Sequence, residues 1–157
     1  MRTTTFLLAA LSVLAPAAIA SAQLPGQAAS VTGLREIRLE ARVDQTWLWS
    51  LTERLTLDLA RAEATSAGFI VVGPERADVP LVRLDLMADE VAEGQFYLFA
   101  DLTVREDVTR RDGSTRPAIL WQARSAVTGR MRNVKDVVGW VRSAVSRLED
   151  DARRGEE

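Results

Sequence analysis

Between positions 79 and 128 the chain alternates apolar and polar residues with a period of two, three times in succession. In residues 79–91, Val82, Leu84, Leu86 and Ala88 are interleaved with Arg83, Asp85 and Met87. In residues 95–109, Phe96, Leu98, Ala100, Leu102 and Val104 are interleaved with Tyr97, Phe99, Asp101 and Thr103. In residues 118–128, Ile119, Trp121, Ala123, Ser125 and Val127 are interleaved with Leu120, Gln122, Arg124 and Ala126. A strand throws successive side chains to opposite faces, whereas a helix would scatter these apolar sets around its circumference. The turn signals between them, residues 89–94 and the Asp112-Gly113 pair within 110–114, are short, so the three strands form an antiparallel meander. One face of it is buried and the other is left for water or a partner.

The flanking segments supply what covers the buried face. Ile37, Leu39, Ala41 and Val43 alternate with Glu36, Arg38, Glu40 and Arg42, which predicts a strand over 34–43. Asp44 or Thr46 can cap a helix running to about residue 66, where Gly68 ends it. Its apolar stripe is Leu48, Leu51, Leu55, Leu59 and Ala62, with Trp47 at the edge and Trp49 and Leu57 outside it. Residues 69–72 form a short apolar strand closed by Gly73-Pro74, giving a crossover unit that is right-handed if its strands are parallel. After the meander, Asn133 with Asp136 opens a second helix whose stripe is Val134, Val137, Val138, Val141, Val145 and Leu148, flanked by Trp140 and Ala144. The expected architecture is an α+β two-layer sandwich: a mixed, mostly antiparallel sheet of about five strands, with two helices on one face.

Residues 1–22 read as an export signal: Arg2, an apolar run over 6–15, and Ala20-Ser21-Ala22 before Gln23. The run is too short, and too broken by Pro16, for a comfortable membrane span; an uncleaved N-terminal anchor is the alternative, and no stable span is expected after cleavage. Residues 23–33 are expected to be a flexible leader, 34–148 a single domain, and 149–157 a frayed tail. The protein is thus expected to be exported, to a periplasm or beyond. With 20 basic and 22 acidic residues the formal net charge is −2, which offers no footprint for nucleic acid. The chain has no Cys and no His. This removes lipidation at a leader cysteine, disulfides, Ser-His-Asp and Cys-His machinery, and His-ligated metals. No cofactor motif is present; the isolated glycines fit turns and caps rather than a phosphate loop.

Three features remain as candidates. Met87, Tyr97, Phe99 and Leu120 fall on the polar side of the meander, where an apolar cluster marks a binding surface for an envelope protein or a second copy. Trp49, off its helix stripe, is a possible anchor for the same kind of contact, although packing within the chain explains it as well. The acidic residues Asp85, Asp89, Glu90, Glu93, Asp101, Glu106 and Asp107 lack metal-binding spacing and read as solvated strand and turn positions. Arg110, Arg111 and Arg116 read as a charged hairpin turn.

The order of elements, the run Ala67-Gly68-Phe69-Ile70-Val71-Val72, the strand carrying Trp121 and the helix opened by Asn133 and Asp136 resemble small secreted bacterial α+β proteins. Among envelope accessory domains, the N-terminal domain of the Tol-system propeller protein is similar in this respect. The resemblance spans residues 34–148, implies a non-catalytic envelope role and supplies no site residues. The chain lacks propeller repeats. The expected function is therefore an exported, non-enzymatic binding or accessory protein. A carrier with a small-ligand or lipid pocket between sheet and helices, near Trp47 and Trp140, is the alternative, and a carboxylate-based hydrolase a more distant one.

Overall fold

The computed structural model describes residues 27–44, 52–93, 95–129 and 134–154. Its elements are α1 (Gln27–Ser30), β1 (Glu36–Asp44), α2 (Glu53–Ser66), β2 (Ile70–Val71), β3 (Leu81–Ala92), β4 (Gln95–Thr109), β5 (Thr115–Gly129) and α3 (Val134–Arg153). The strands form one open sheet in the order β2-β1-β3-β4-β5. β1 runs parallel to both β2 and β3, while β3–β4 and β4–β5 are antiparallel. The sheet is therefore mixed, with the long ladders antiparallel, as the alternation predicts.

Val82, Leu84, Leu86 and Ala88 of β3, Leu98, Ala100, Leu102 and Val104 of β4, and Trp121 and Ala123 of β5 lie in one core with residues of both long helices. α2 and α3 thus cover the same face. Arg142 of α3 clamps the two helices together by gripping Glu63 of α2 through three hydrogen bonds of 2.9, 3.1 and 3.2 Å.

α2 starts later than its sequence suggests. Thr52 is the N-cap, in an extended conformation, and its side chain accepts from the Leu55 N–H at 3.1 Å. Residues 45–51, with the expected caps' successors Leu48 and Leu51 and with Trp47 and Trp49, lie outside the described residues. The buried stripe is also rotated: Thr56, Ala60 and Ala64 face the sheet, Leu59 is partly buried, and Leu55 is 48% exposed. Small residues at i, i+4 and i+8 let the helix backbone approach the sheet closely, so close approach rather than side-chain bulk decides the face. The C-terminus ends as expected. Gly68 has φ +90, its N–H reaches Thr65 O, and the Phe69 N–H reaches Ala64 O, the paired bonds of a Schellman stop.

Both expected ends of the domain are corrected. Of the leader expected to be flexible, residues 27–30 form α1, Val31 is buried in the core, and the Gly33 N–H donates to Ala152 O at 2.8 Å. α3 does not fray at Glu149 but continues through Arg153, with Asp151 and Ala152 buried. One cause explains both. Asp151 accepts a hydrogen bond from Trp121 Nε1 at 2.8 Å inside the core, so the last turn of α3 is held by the sheet and in turn holds residues 31–33.

A β-bulge corrects the third meander strand. Val104 pairs with Trp121 but Arg105 pairs with Ile119, leaving Leu120 as the extra residue. A bulge reverses the phase of alternation on its two sides. Trp121 is therefore fully buried, Leu120 packs against the core instead of joining the open face, and Ile119 is turned onto the open face, 52% exposed. β5 also begins earlier than expected, at Thr115, and includes Pro117, which an edge strand tolerates.

Candidate functional site

The face of the sheet turned away from the helices is ordered in rows. Residues directly opposite on neighbouring strands share a face, so the register across β1, β3, β4 and β5 can be read as ranks. Arg42, Asp85, Asp101 and Arg124 form one rank, and Glu40, Arg83, Thr103 and Gln122 the rank beside it. On the other side of the first rank stand Asp44, Met87, Phe99 and Ala126, followed by Asp89, Tyr97 and Thr128. At the opposite end lie Arg38, Leu81, Arg105 and Ile119. The face is thus a polar belt with an apolar cluster at the Met87–Phe99 end and a mixed rank, two arginines alternating with Leu81 and Ile119, at the other.

The belt is internally satisfied. Asp85 and Asp101 stand opposite each other, an arrangement of like charges that destabilises a sheet unless each is compensated. Arg83 grips Asp85 Oδ1 with Nε and Nη2 at 2.9 and 2.8 Å. Gln122 Nε2 donates to both oxygens of Asp101 at 2.9 and 2.8 Å, and Arg124 Nε adds a contact at 3.4 Å. Thr103 is buried under this layer; its hydroxyl accepts from Arg105 Nε at 3.1 Å and donates to Arg83 O at 3.4 Å. Asp101 was expected to be solvated and is instead 8% exposed. The sequence signal was present in Gln122 and Arg124, which stand on the same side of the next strand within reach of it. Both carboxylates are occupied by donors, and among the described residues no cluster of acidic side chains could hold a metal ion.

Of the predicted surface residues, Met87 and Phe99 are directly opposite each other, with Met87 48% exposed and Phe99 half-buried. Tyr97, two residues from Phe99, is also half-buried. The Arg124 guanidinium carbon lies 6.0 Å from the Phe99 ring centroid, at the outer limit of a cation–π contact, and ties the apolar cluster to the belt. Leu120 is removed from the cluster by the bulge and Trp49 lies outside the described residues. Ile119, missed in the sequence because a bulge leaves no pattern of its own, takes a place on this face.

A second concavity of about 370 Å³ opens where β1 meets the C-terminal ends of α2 and α3, lined by Leu34, Arg35, Phe69, Glu149 and Arg153 among others. Its walls carry charges, and the Glu149–Arg153 ion pair crosses it. Trp140 packs against the core and does not line it. No helix of the described residues is long and apolar enough to cross a membrane.

A five-stranded mixed sheet with one face bare and both long helices on the other has known counterparts. The fold is similar to that of PelC. A single-substitution PelC variant from Paraburkholderia phytofirmans matches with TM-score 0.53 and 12% identity, over 84% of this chain and 98% of that one. PelC from the same organism in another crystal form gives 0.50 and 10%, over 87% and 99%. Both PelC structures are dodecamers. A minor lipoprotein from Acinetobacter baumannii is a weaker likeness, with TM-score 0.32 and 13% identity over 77% and 92%. No family model and no curated protein matches the chain. At these identities the likeness to PelC is one of fold.

Proposed function

We propose that the protein is an exported accessory component of the bacterial envelope that binds another protein chain through the open face of its sheet, without catalysing a reaction. The observation that carries this reading is the open face itself. Its polar belt is fixed by two sets of charge-assisted hydrogen bonds, Arg83 on Asp85 and Gln122 with Arg124 on Asp101, and Arg124 also lies over the Phe99 ring beside Met87 and Tyr97. A preorganised apolar cluster beside satisfied charges is what a protein interface needs, because little side-chain freedom is left to lose on binding. The export signal over residues 1–22 supports the location. The absence of His and Cys, together with carboxylates that are already engaged, supports a non-catalytic role. The PelC structures are oligomers, and a protein-binding open face is compatible with association between copies of this chain.

The test is photo-crosslinking in the cell from a reactive side chain placed at Tyr97 or Phe99, with the products identified by mass spectrometry. Capture of a defined protein chain at both positions, and not from Arg61 on the outer side of α2, supports the reading. A face that captures nothing at either position refutes it.

A further inference from the structure

β5 is an edge strand of 15 residues with a neighbouring strand on one side only. The direction of its free backbone groups follows from one bond. The Arg38 N–H donates to Pro80 O, so the even-numbered residues of β3 turn their backbone groups toward β1 and the odd-numbered ones toward β4. Carried through the register, the even-numbered residues of β4 face β5, and their partners Trp121, Ala123, Ser125 and Val127 face back. The backbone N–H and C=O groups of Gln122, Arg124, Ala126 and Thr128 therefore point off the edge of the sheet, and among the described residues no hydrogen bond reaches them.

Sheet edges are ordinarily guarded against the addition of another strand, and part of this one is. Toward the β4–β5 turn, Pro117 stands at an outward position with no N–H to offer, and the bulge at Leu120 breaks the ladder. Across the sheet, β2 is two residues long and stops at Gly73-Pro74. Residues 121–129 carry neither proline nor bulge, and the guanidinium of Arg124 lies over Asp101 and Phe99. Beside the middle of this stretch stands Trp140. It lies about 160° round α3 from Arg142, the residue that grips α2, and so occupies the flank toward β5. Asp151 is level with Trp121, to which it is bonded. From Asp151 up to Trp140 the helix rises about 16 Å, and about 16 Å up the strand from Trp121 is Ala126. Trp140 is only half-buried at that level.

We propose that two copies of this chain join β5 to β5, antiparallel, about a two-fold axis at Ser125, merging their sheets into one. The unguarded stretch pairs with itself end to end: Trp121 of one copy stands opposite Gly129 of the other, and Ser125 opposite Ser125. Gln122 with Thr128, and Arg124 with Ala126, then form hydrogen-bonded pairs, each exchanging two N–H···O=C bonds, about eight in all. Ala126 is small, so Arg124 keeps its place over Phe99. Moving the axis one residue toward the turn sets Arg124 directly opposite Arg124, which repels, and runs the ladder into the bulge. Moving it one residue the other way shortens the ladder. At the axis the two Ser125 side chains form a close, non-hydrogen-bonded cross-strand pair, and the two Trp140 side chains stand beside them, where interface anchors cluster. The joined edge is about 30 Å long and roughly 20 Å deep through the sheet and its helix layer, so it buries on the order of 600 Å² per copy, the low end of a specific interface. The axis is perpendicular to the sheet, so both open faces look the same way and the binding surface described above is presented twice.

The experiment uses the protein exported with its own leader and purified in processed form, with mass read by light scattering and native mass spectrometry. The wild-type chain is expected to be a dimer. The chain has no cysteine, so Ser125→Cys reports the axis directly. Mild oxidation is expected to link it into a covalent dimer, while Thr65→Cys, exposed on α2, stays unlinked. Ala126→Pro removes an outward N–H, as Pro117 does nearer the turn, and is expected to weaken the dimer by about tenfold or more, since each dimer loses two donors. Trp140→Ala is expected to weaken it by a similar factor. Circular dichroism checks that each variant is folded, and Gln122→Pro repeats the backbone test if Ala126→Pro is not. A wild-type monomer, any assembly that Ser125→Cys does not link, or one indifferent to the proline overturns the pairing. A photo-crosslinker at Ala126 that captures a different protein on a monomeric chain also overturns it, and makes the edge a place for a foreign strand. Crosslinking from Tyr97 and Phe99 tests the open face separately, so either reading can fail while the other stands.

Discussion

The bond between Trp121 Nε1 and Asp151 joins the edge strand to the last turn of α3, and its removal has a calculable cost. Both side chains are almost fully excluded from water, Asp151 with 1% of its surface exposed. The 2.8 Å bond is made by an indole N–H to a carboxylate, the stronger class of protein hydrogen bond. Asp151→Ala leaves that N–H buried without its acceptor, which costs about 1–3 kcal/mol, and the vacated carboxylate volume adds to it. Asp151→Asn keeps an acceptor oxygen for the indole but loses the charge assistance and the exposed 3.4 Å ion pair with Arg154, together about 1 kcal/mol. Urea unfolding followed by far-ultraviolet circular dichroism reads the difference. With a slope of about 2 kcal/mol per molar urea, an Ala variant 2–3 kcal/mol less stable has its midpoint lowered by roughly 1–1.5 M, and the Asn variant by roughly 0.5 M. In the Trp121→Phe background, the further loss from Asp151→Ala should shrink, because the donor is already gone. Equal midpoints for wild type and the Ala variant, with unchanged slope, would refute the claim that this pair anchors the helix end.

Other substitutions probe the remaining elements. The Thr56 hydroxyl is fully buried and has no hydrogen-bond partner among the described residues, so Thr56→Val should raise stability by about 1 kcal/mol in the same urea assay. Ala60→Leu should lower it by about 1–3 kcal/mol, because α2 lies against the sheet through its small residues. Gly113 closes the β4–β5 turn at φ +79 with open space around it, so Gly113→Ala should cost about 1–2 kcal/mol through backbone strain alone and broaden the amide resonances of residues 110–114. The Ser114 hydroxyl, then its N–H, hold the Asp112 carboxyl below its ordinary value of 3.8. That local order is present above the ordinary value and is lost as pH falls through the lowered one, so protection of the Ser114 amide from hydrogen exchange should persist to pH 4 and disappear only under stronger acid.

The strands were legible because period-two alternation survives any arrangement of the sheet. Val82 to Ala88 and Leu98 to Val104 fall on the buried face as the pattern requires. The rotated face of α2 was not legible. Leu is the usual marker of a buried stripe, but Thr56, Ala60 and Ala64 win when a helix must approach a sheet closely. The bulge at Leu120 was hidden for a different reason: Ile119, Leu120 and Trp121 are all apolar, so either phase fits them. The places of Met87, Phe99 and Tyr97 on the open face followed from alternation alone; that of Ile119 and the engagement of Asp101 required the register. The ends were misread because Glu149, Asp150 and Asp151 look like a solvated terminus. Only the indole opposite shows that the third of these acids belongs inside.

The bond from the Gly33 N–H to Ala152 O has a consequence for how the chain comes to be folded. It joins segments from the two extremities of the described chain, and beside it Trp121 waits for an acid made thirty residues later. β1, made first, lies between two strands that both come after it. A chain still lacking its last turn can pair hairpins but cannot close its core. Closure of the core is therefore expected to wait for the last turn of α3, whichever hairpins pair before it.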